Sequence, residues 1–326
     1  MHMSRWKNAA IYAALALLWI FYLFISLRGQ NTEAGGALGL TDWQLDVIRI
    51  TIAVPYLLIW VAAFYGARRL QMYQMSLDEG SHRKAFRAIT VGLYWLAAGL
   101  VITTIVSTLR NLVDQSGSSV RTFTIILNYL YTFFPLIGFL FLRSGSRTLL
   151  KETHGEISLT ARYGAVIAAL LIGALQLYLI FTDPGRSAAI IEGGMATYYL
   201  PDVAIVLTLV LPNLIALPLG TLATSNLYSF ARRSVAVIYE KTLPLLANGI
   251  MMIVVATILL QLLLSLGSER LLSLGLVYIL IVIYMFLVVQ AAGYLLVARG
   301  TGRLARLQRT LAKYQDDPIP SQPQAK

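Results

Sequence analysis

Apolar positions in this chain come in long blocks rather than in stripes. Eight of them, near residues 8–27, 44–67, 88–109, 122–142, 162–181, 202–224, 244–266 and 272–298, each have the length needed to cross a bilayer, which takes roughly 20 residues of helix. Strands that span membranes alternate with period two over about 10 residues, and these blocks do not alternate. The pattern predicts an all-α integral membrane protein with eight transmembrane helices.

Composition agrees with the blocks. Hydrophobic residues make up 58% of the 326-residue chain, charged residues 13%, and the mean hydropathy is +0.71, well outside the range of a soluble domain. Charge then sets the orientation. With the N-terminus inside, the cytoplasmic segments hold 20 of the 26 basic residues, the outer loops hold Arg28, Arg110, Arg121, Arg186 and Arg270, and Arg49 lies within a span. A 20:5 bias is a positive-inside signal and predicts both termini inside. The net charge of +11 is thereby mostly topology, and nucleic acid drops out as a partner. The first span follows Arg5 and Lys7 as a signal peptide would. It is too long for that role, lacks a small-x-small cleavage site before "LRGQN", and is read as retained. The expected location is the cell membrane, of the prokaryotic inner-membrane type, in multi-pass form.

The chain also repeats itself. At an offset of 156, Tyr22 meets Tyr178, Gly29 meets Gly185, Thr41 meets Thr197, Trp43 meets Tyr199, and Asp46–Val47 meets Asp202–Val203; "RSGSR" at 143–147 meets "RGTGR" at 299–303. At 157, Thr51 meets Thr208, Pro55 meets Pro212, Lys84 meets Lys241 and Gly92 meets Gly249. Matches of Asp, Pro, Gly, Lys and Arg, in order, are not what two unrelated apolar helices provide, and they indicate duplication. Four spans per copy is an even number, so the copies are parallel and related by a pseudo-twofold axis along the membrane normal. The expected domains are residues 1–150, a first four-helix repeat; 151–314, a second repeat with a basic juxtamembrane end; and 315–326, a disordered cytoplasmic tail rich in Pro and Gln.

Ionisable residues inside a span are costly, about 2.5–3.5 kcal/mol at mid-membrane on insertion scales. All seven glutamates and all six lysines avoid the spans, leaving Asp46, Arg49 and Asp202, each near the outer end. The structural reading places both aspartates in the first turn of a helix, where a negative charge suits the unpaired N–H groups and the dipole. Trp43 and Tyr198–Tyr199 lie just outside, as interfacial aromatics do. Arg49 follows Asp46 by one turn and is expected to pair with it. Asp202 has Ile205 and Val206 in the equivalent region. It therefore needs water, a neighbouring helix or a ligand, which makes it the better candidate for a proton or ligand role.

Pro55 and Pro212 sit nine or ten residues into the second helix of each copy, ~14 Å deep at 1.5 Å per residue. Proline removes a backbone bond and kinks the helix. The hydroxyls of Thr51 and Thr208 are placed to help satisfy the freed carbonyls, and Asn213 and Pro218 add an amide and a second break in the second copy only. A twin kink near the midplane suits a transport site, and it also suits plain splaying of a bundle. The candidate ligand-binding set is Asp202, Asp46, Arg49, Thr51, Pro55, Thr208, Pro212 and Asn213. Thr103, Thr104, Ser107, Asn128, Tyr131, Thr132, Asn248, Gln261 and Gln290 read as helix-to-helix hydrogen-bonding groups, and Ala216, Gly220 and Thr224 as a close-packing stripe.

At the end of the last span Arg299, Arg303, Arg306, Arg309 and Lys313 share one helix face, with Leu304, Leu307 and Leu311 on another. Such a strip attracts anionic headgroups, about 1 kcal/mol per basic residue; a solvated continuation of the last span is the alternative. Without cysteine there is no thiol or iron–sulfur chemistry. His2, His82 and His154 all lie outside the spans, so no haem ligand pair and no metal or other cofactor is expected. No nucleotide-binding loop or nucleophile elbow occurs, and the chain is not expected to be an enzyme. Two classes remain. One is a transporter or channel with its site between the kinked second and sixth helices. The other is a non-transporting membrane subunit, a scaffold, assembly factor or sensor, acting with a partner membrane protein or a second copy.

Overall fold

A computed structural model of the chain describes residues 2–28, 41–110, 118–156, 159–182, 206–234, 236–265 and 275–316. Among them there is no strand. The helices are α1 (His2–Arg28), α2 (Asp42–Met75), α3 (Ser81–Arg110), α4 (Ser118–Glu152), α5 (Leu159–Phe181), α6 (Leu211–Arg233), α7 (Val237–Ser265) and α8 (Gly275–Asp316), with a π-helical turn, Val206–Val210, leading into α6. Seven contain stretches long and apolar enough to cross a membrane. The remaining helix, α4, is 35 residues long and holds the 122–142 block. A chain of seven to eight long apolar helices is a polytopic membrane protein, because only fully hydrogen-bonded backbone survives in hydrocarbon.

Local chemistry explains where α2 begins. The Thr41 hydroxyl accepts from the Gln44 backbone N–H, and the Gln44 side chain accepts from Thr41 N–H at 2.9 Å, a complete capping box. Asp42 then occupies the first turn. The expected first-turn role of Asp46 is thereby corrected: this cap starts the helix earlier and leaves Asp46 in the second turn.

The centre of the bundle is two helical hairpins, α3 with α4 and α7 with α8. In bilayers helices associate through close van der Waals contact rather than a hydrophobic drive, so small residues mark the interfaces. A Cβ placed on Gly92 would lie 2.7 Å from the Gly138 carbonyl oxygen and 3.0 Å from Leu142 N. One placed on Gly249 would lie 2.6 Å from the Gly293 carbonyl oxygen and 2.8 Å from Val297 N. Backbone therefore touches backbone in both hairpins. The pairings correspond at 249 − 92 = 157 on the third helices and 293 − 138 = 155 on the fourth. Two turns further on, Gly145 faces the Ala85 carbonyl and Gly300 the Thr242 carbonyl, in the same register. This register is one residue shorter than the match of "RSGSR" with "RGTGR", and it sets Ser146 opposite Thr301, both fully buried.

Among the described residues, the second helices pack mainly on other helices rather than on each other. Helix α2 lies on α8, and α6 on α4, so each second helix leans on the fourth helix of the other half. Ala216, Gly220 and Thr224 of the predicted stripe are all buried, with Gly220 against Val254 and Phe139. Helices α1 and α5 are peripheral, packed mainly on α2 and α6 respectively. Their outward faces, among them Leu17, Phe21, Phe24, Leu170, Leu171 and Tyr178, are exposed, as lipid-facing residues would be.

Candidate functional site

Between the hairpins lies a cavity of about 60 Å³, walled by all four of their helices and by Tyr56 of α2. A water needs about 10–15 Å³ of such space, so the cavity holds a few. Its polar lining is Tyr56, Thr103, Thr104, Tyr131, Thr257 and Gln290, set among Leu96, Leu100, Phe134, Ile253, Phe286 and Tyr294. Among the described residues, no carboxylate, ammonium or guanidinium lines it.

Helix geometry directs these groups. Thr103 donates to the Gly99 carbonyl at 2.7 Å, Thr104 to Leu100 at 2.7 Å, and Thr257 to Ile253 at 2.8 Å. Each hydroxyl spends its proton on its own helix, as threonines in helices do, and leaves oxygen lone pairs as acceptors. Gln290 Oε1 is buried without a hydrogen bond among the described residues. The Tyr56 ring is held edge-on by Tyr22 of α1, with centroids 6.0 Å apart. The site is therefore an uncharged nest of hydroxyls and one amide, near the middle of four spans.

None of the described side chains of the predicted set lines this cavity. Tyr56 reaches the cavity, but its neighbour Pro55 is not part of the wall, and α6 contributes nothing. Thr51 donates to the Val47 carbonyl at 2.6 Å, one turn before the carbonyl that Pro55 leaves unpaired. Asp46 and Arg49 form the expected ion pair at 3.0 Å, near the start of α2. Asn213 is buried on α6, its Nδ2 without a partner among the described residues. Pro212 follows the π-helical turn directly; the wider turn moves the carbonyl four residues back away from the proline ring. Asp202 and Tyr198–Tyr199 lie outside the described residues, as do the side chains of Thr208, Asn128, Gln261, Arg309 and Lys313. Helix α8 runs unbroken from Gly275 to Asp316, so Arg299, Arg303 and Arg306 ride on a continuation of the last span, with Leu304 turned into the bundle. The tail beyond Asp316 lies outside the described residues.

A second cluster, missed in the sequence, joins the halves at the end of the bundle rich in Arg and Lys. The hydroxyls of Tyr73 and Tyr239 meet at 2.9 Å. The His82 ring stacks on Tyr239 at 6.3 Å and meets Phe230 edge-on at 6.1 Å. His82 Nδ1 lies 2.7 Å from a Glu152 oxygen, and both carboxylate oxygens are buried with no other partner among the described residues. At the 157 offset Tyr73 corresponds to Phe230 and His82 to Tyr239. At that offset the contact Tyr73–Tyr239 maps onto the contact Phe230–His82. Scoring each position against its copy for contacts, rather than for identity, would have found them.

No protein-family model, curated protein or solved structure matches this chain.

Proposed function

We propose that the protein is a two-half membrane carrier or channel for small uncharged polar solutes, built by duplication of a four-helix unit and oriented with both termini inside. The observation that carries the reading is the polar, charge-free cavity held between the two hairpins at mid-span. A site at the interface of two repeats near the bilayer midplane is where repeat-built transporters place their substrate. An ion would find no fixed counter-charge there and would lose its hydration. A neutral solute finds acceptors in Thr103, Thr257 and Gln290 Oε1 and an adaptable hydroxyl in Tyr56. The repeated glycine contacts and the paired aromatic contacts support the duplication. The basic ends that gather at one side of the bundle support the orientation.

The experiment is flux into proteoliposomes, with water, urea and glycerol as probes. Protein-dependent permeation is expected, cut about tenfold or more by Gln290→Leu and by Tyr56→Phe, with melting temperature little changed. Val288→Ala, at an exposed position, should leave flux intact. A second reading, a non-transporting subunit, is favoured by the backbone-to-backbone glycine seams, which resist opening. Permeation no faster than in empty liposomes would favour that reading and overturn the first.

A further inference from the structure

A second space opens on the outside of the bundle, between α6 and α7. This groove of about 580 Å³ is lined by Thr221, Thr224, Ser225, Tyr228, Ser229, Arg232 and Met251. It runs down one face of α6 to the basic end: Thr221 stands eleven residues before Arg232, roughly 16 Å along the axis at 1.5 Å per residue. Five hydroxyl residues in a row on a membrane-facing groove need an explanation, since the hydrocarbon offers them nothing.

The hydroxyls divide into two kinds. Thr221 donates to the Leu217 carbonyl, Thr224 to Gly220, and Tyr228 to the Asn248 side chain. Ser225 and Ser229 make no hydrogen bond among the described residues, although a helical serine has a carbonyl four residues back within reach. Arg232 is exposed and forms no ion pair among the described residues. What the groove offers is unspent donors: two hydroxyls one turn apart, and a guanidinium one turn beyond.

The first half shows what a closed version looks like. At the 157 offset Thr221, Ser225, Tyr228 and Met251 correspond to Phe64, Arg68, Gln71 and Tyr94. There Arg68 and Tyr94 both donate to the Gln71 side chain, at 2.6 and 2.9 Å. Ile11 and Tyr12 of α1 cover the place, leaving about 10 Å³. The second half has Thr221 and Ser225 in place of Phe64 and Arg68 and leaves the space open.

We propose that the α6–α7 groove binds an anionic glycerophospholipid. Its phosphate meets the Arg232 fork, its ester carbonyls accept from Ser229 and Ser225, and one acyl chain lies along Thr221 and Met251. A phosphodiester and two esters offer acceptors only, which matches a wall with unspent donors. Basic pockets between spans on the positive side of a membrane protein are suited to such headgroups.

The test is thermal stabilisation of the full chain in detergent, titrated with phosphatidylglycerol, phosphatidylcholine or inorganic phosphate. Phosphatidylglycerol should stabilise at lower concentration than phosphatidylcholine, and inorganic phosphate should have no effect. Arg232→Gln should weaken phosphatidylglycerol about five-fold, the loss of one basic contact near the surface, and erase its preference. Ser225→Ala with Ser229→Ala should weaken both lipids alike, since both carry the esters. An unchanged preference in Arg232→Gln would overturn the proposal, as would a preference lost instead in Arg303→Gln on α8, or phosphate acting as well as lipid. The readout is lipid binding, so failure of the transport reading leaves it standing.

Discussion

The two hairpins of this protein match contact for contact, whereas the helix pairs that flank them do not. In α3–α4 and α7–α8 the same glycines bring the same carbonyls into contact, one offset on each helix. In the flanks, Trp19 of α1 donates its indole N–H to the Ala53 carbonyl of α2 at 2.8 Å, while α5 approaches α6 through Gly173 against Leu214. Tyr22 is buried and its sequence match Tyr178 is exposed. The buried faces of α1 and α5 agree better at an offset of 154, which sets Leu15 on Ala169 and Trp19 on Gly173. The difference has a physical cause. Where backbones touch there is no slack, and any side chain larger than hydrogen is excluded in either copy. Where side chains fill the gap, many combinations serve, and a helix slides or rotates as they change.

The largest expected effects lie in the hairpin seams. Gly92→Val and Gly249→Val should each cost about 1–3 kcal/mol or more by overpacking, by similar amounts in both halves. Gly164→Ala, with open space around its Cβ, should be neutral. Melting in detergent measures all three, and a large loss in only one hairpin would break the comparison. The axial cluster comes next. His82→Ala leaves the buried Glu152 oxygens without their partner, about 1–3 kcal/mol. Tyr239→Phe removes one hydrogen bond to Tyr73, about 1 kcal/mol. The unequal costs would show how far the two corresponding contacts differ. The smallest effect belongs to Asp46→Asn. A half-exposed ion pair three residues apart contributes about 0.2–0.5 kcal/mol, so melting should barely move.

Much of the architecture was legible because hydrocarbon imposes it. Block length predicts the long apolar helices that the structure shows; the repeat read from polar matches such as Pro55 with Pro212 and Gly92 with Gly249 belongs to the proposed reading. The site was less legible, for a reason visible at Tyr56 and Gln290. Charge and proline pointed to Asp46, Pro55 and Pro212, none of which lines the cavity. The cavity is lined by neutral groups that helix bundles also use for packing, and only their convergence sets them apart. Nothing in the pattern along α6 and α8 announces that each second helix leans on the opposite half.

Because the chain lacks cysteine, single thiols can be placed without background, and the hydration of the interfacial cavity can be read directly. Thr257→Cys and Thr103→Cys, on opposite walls, should react with a small polar methanethiosulfonate reagent in liposomes. Ala256→Cys, one residue away in the packed core, should stay inert. Silence at all three positions would mean a dry, closed bundle and would contradict the account.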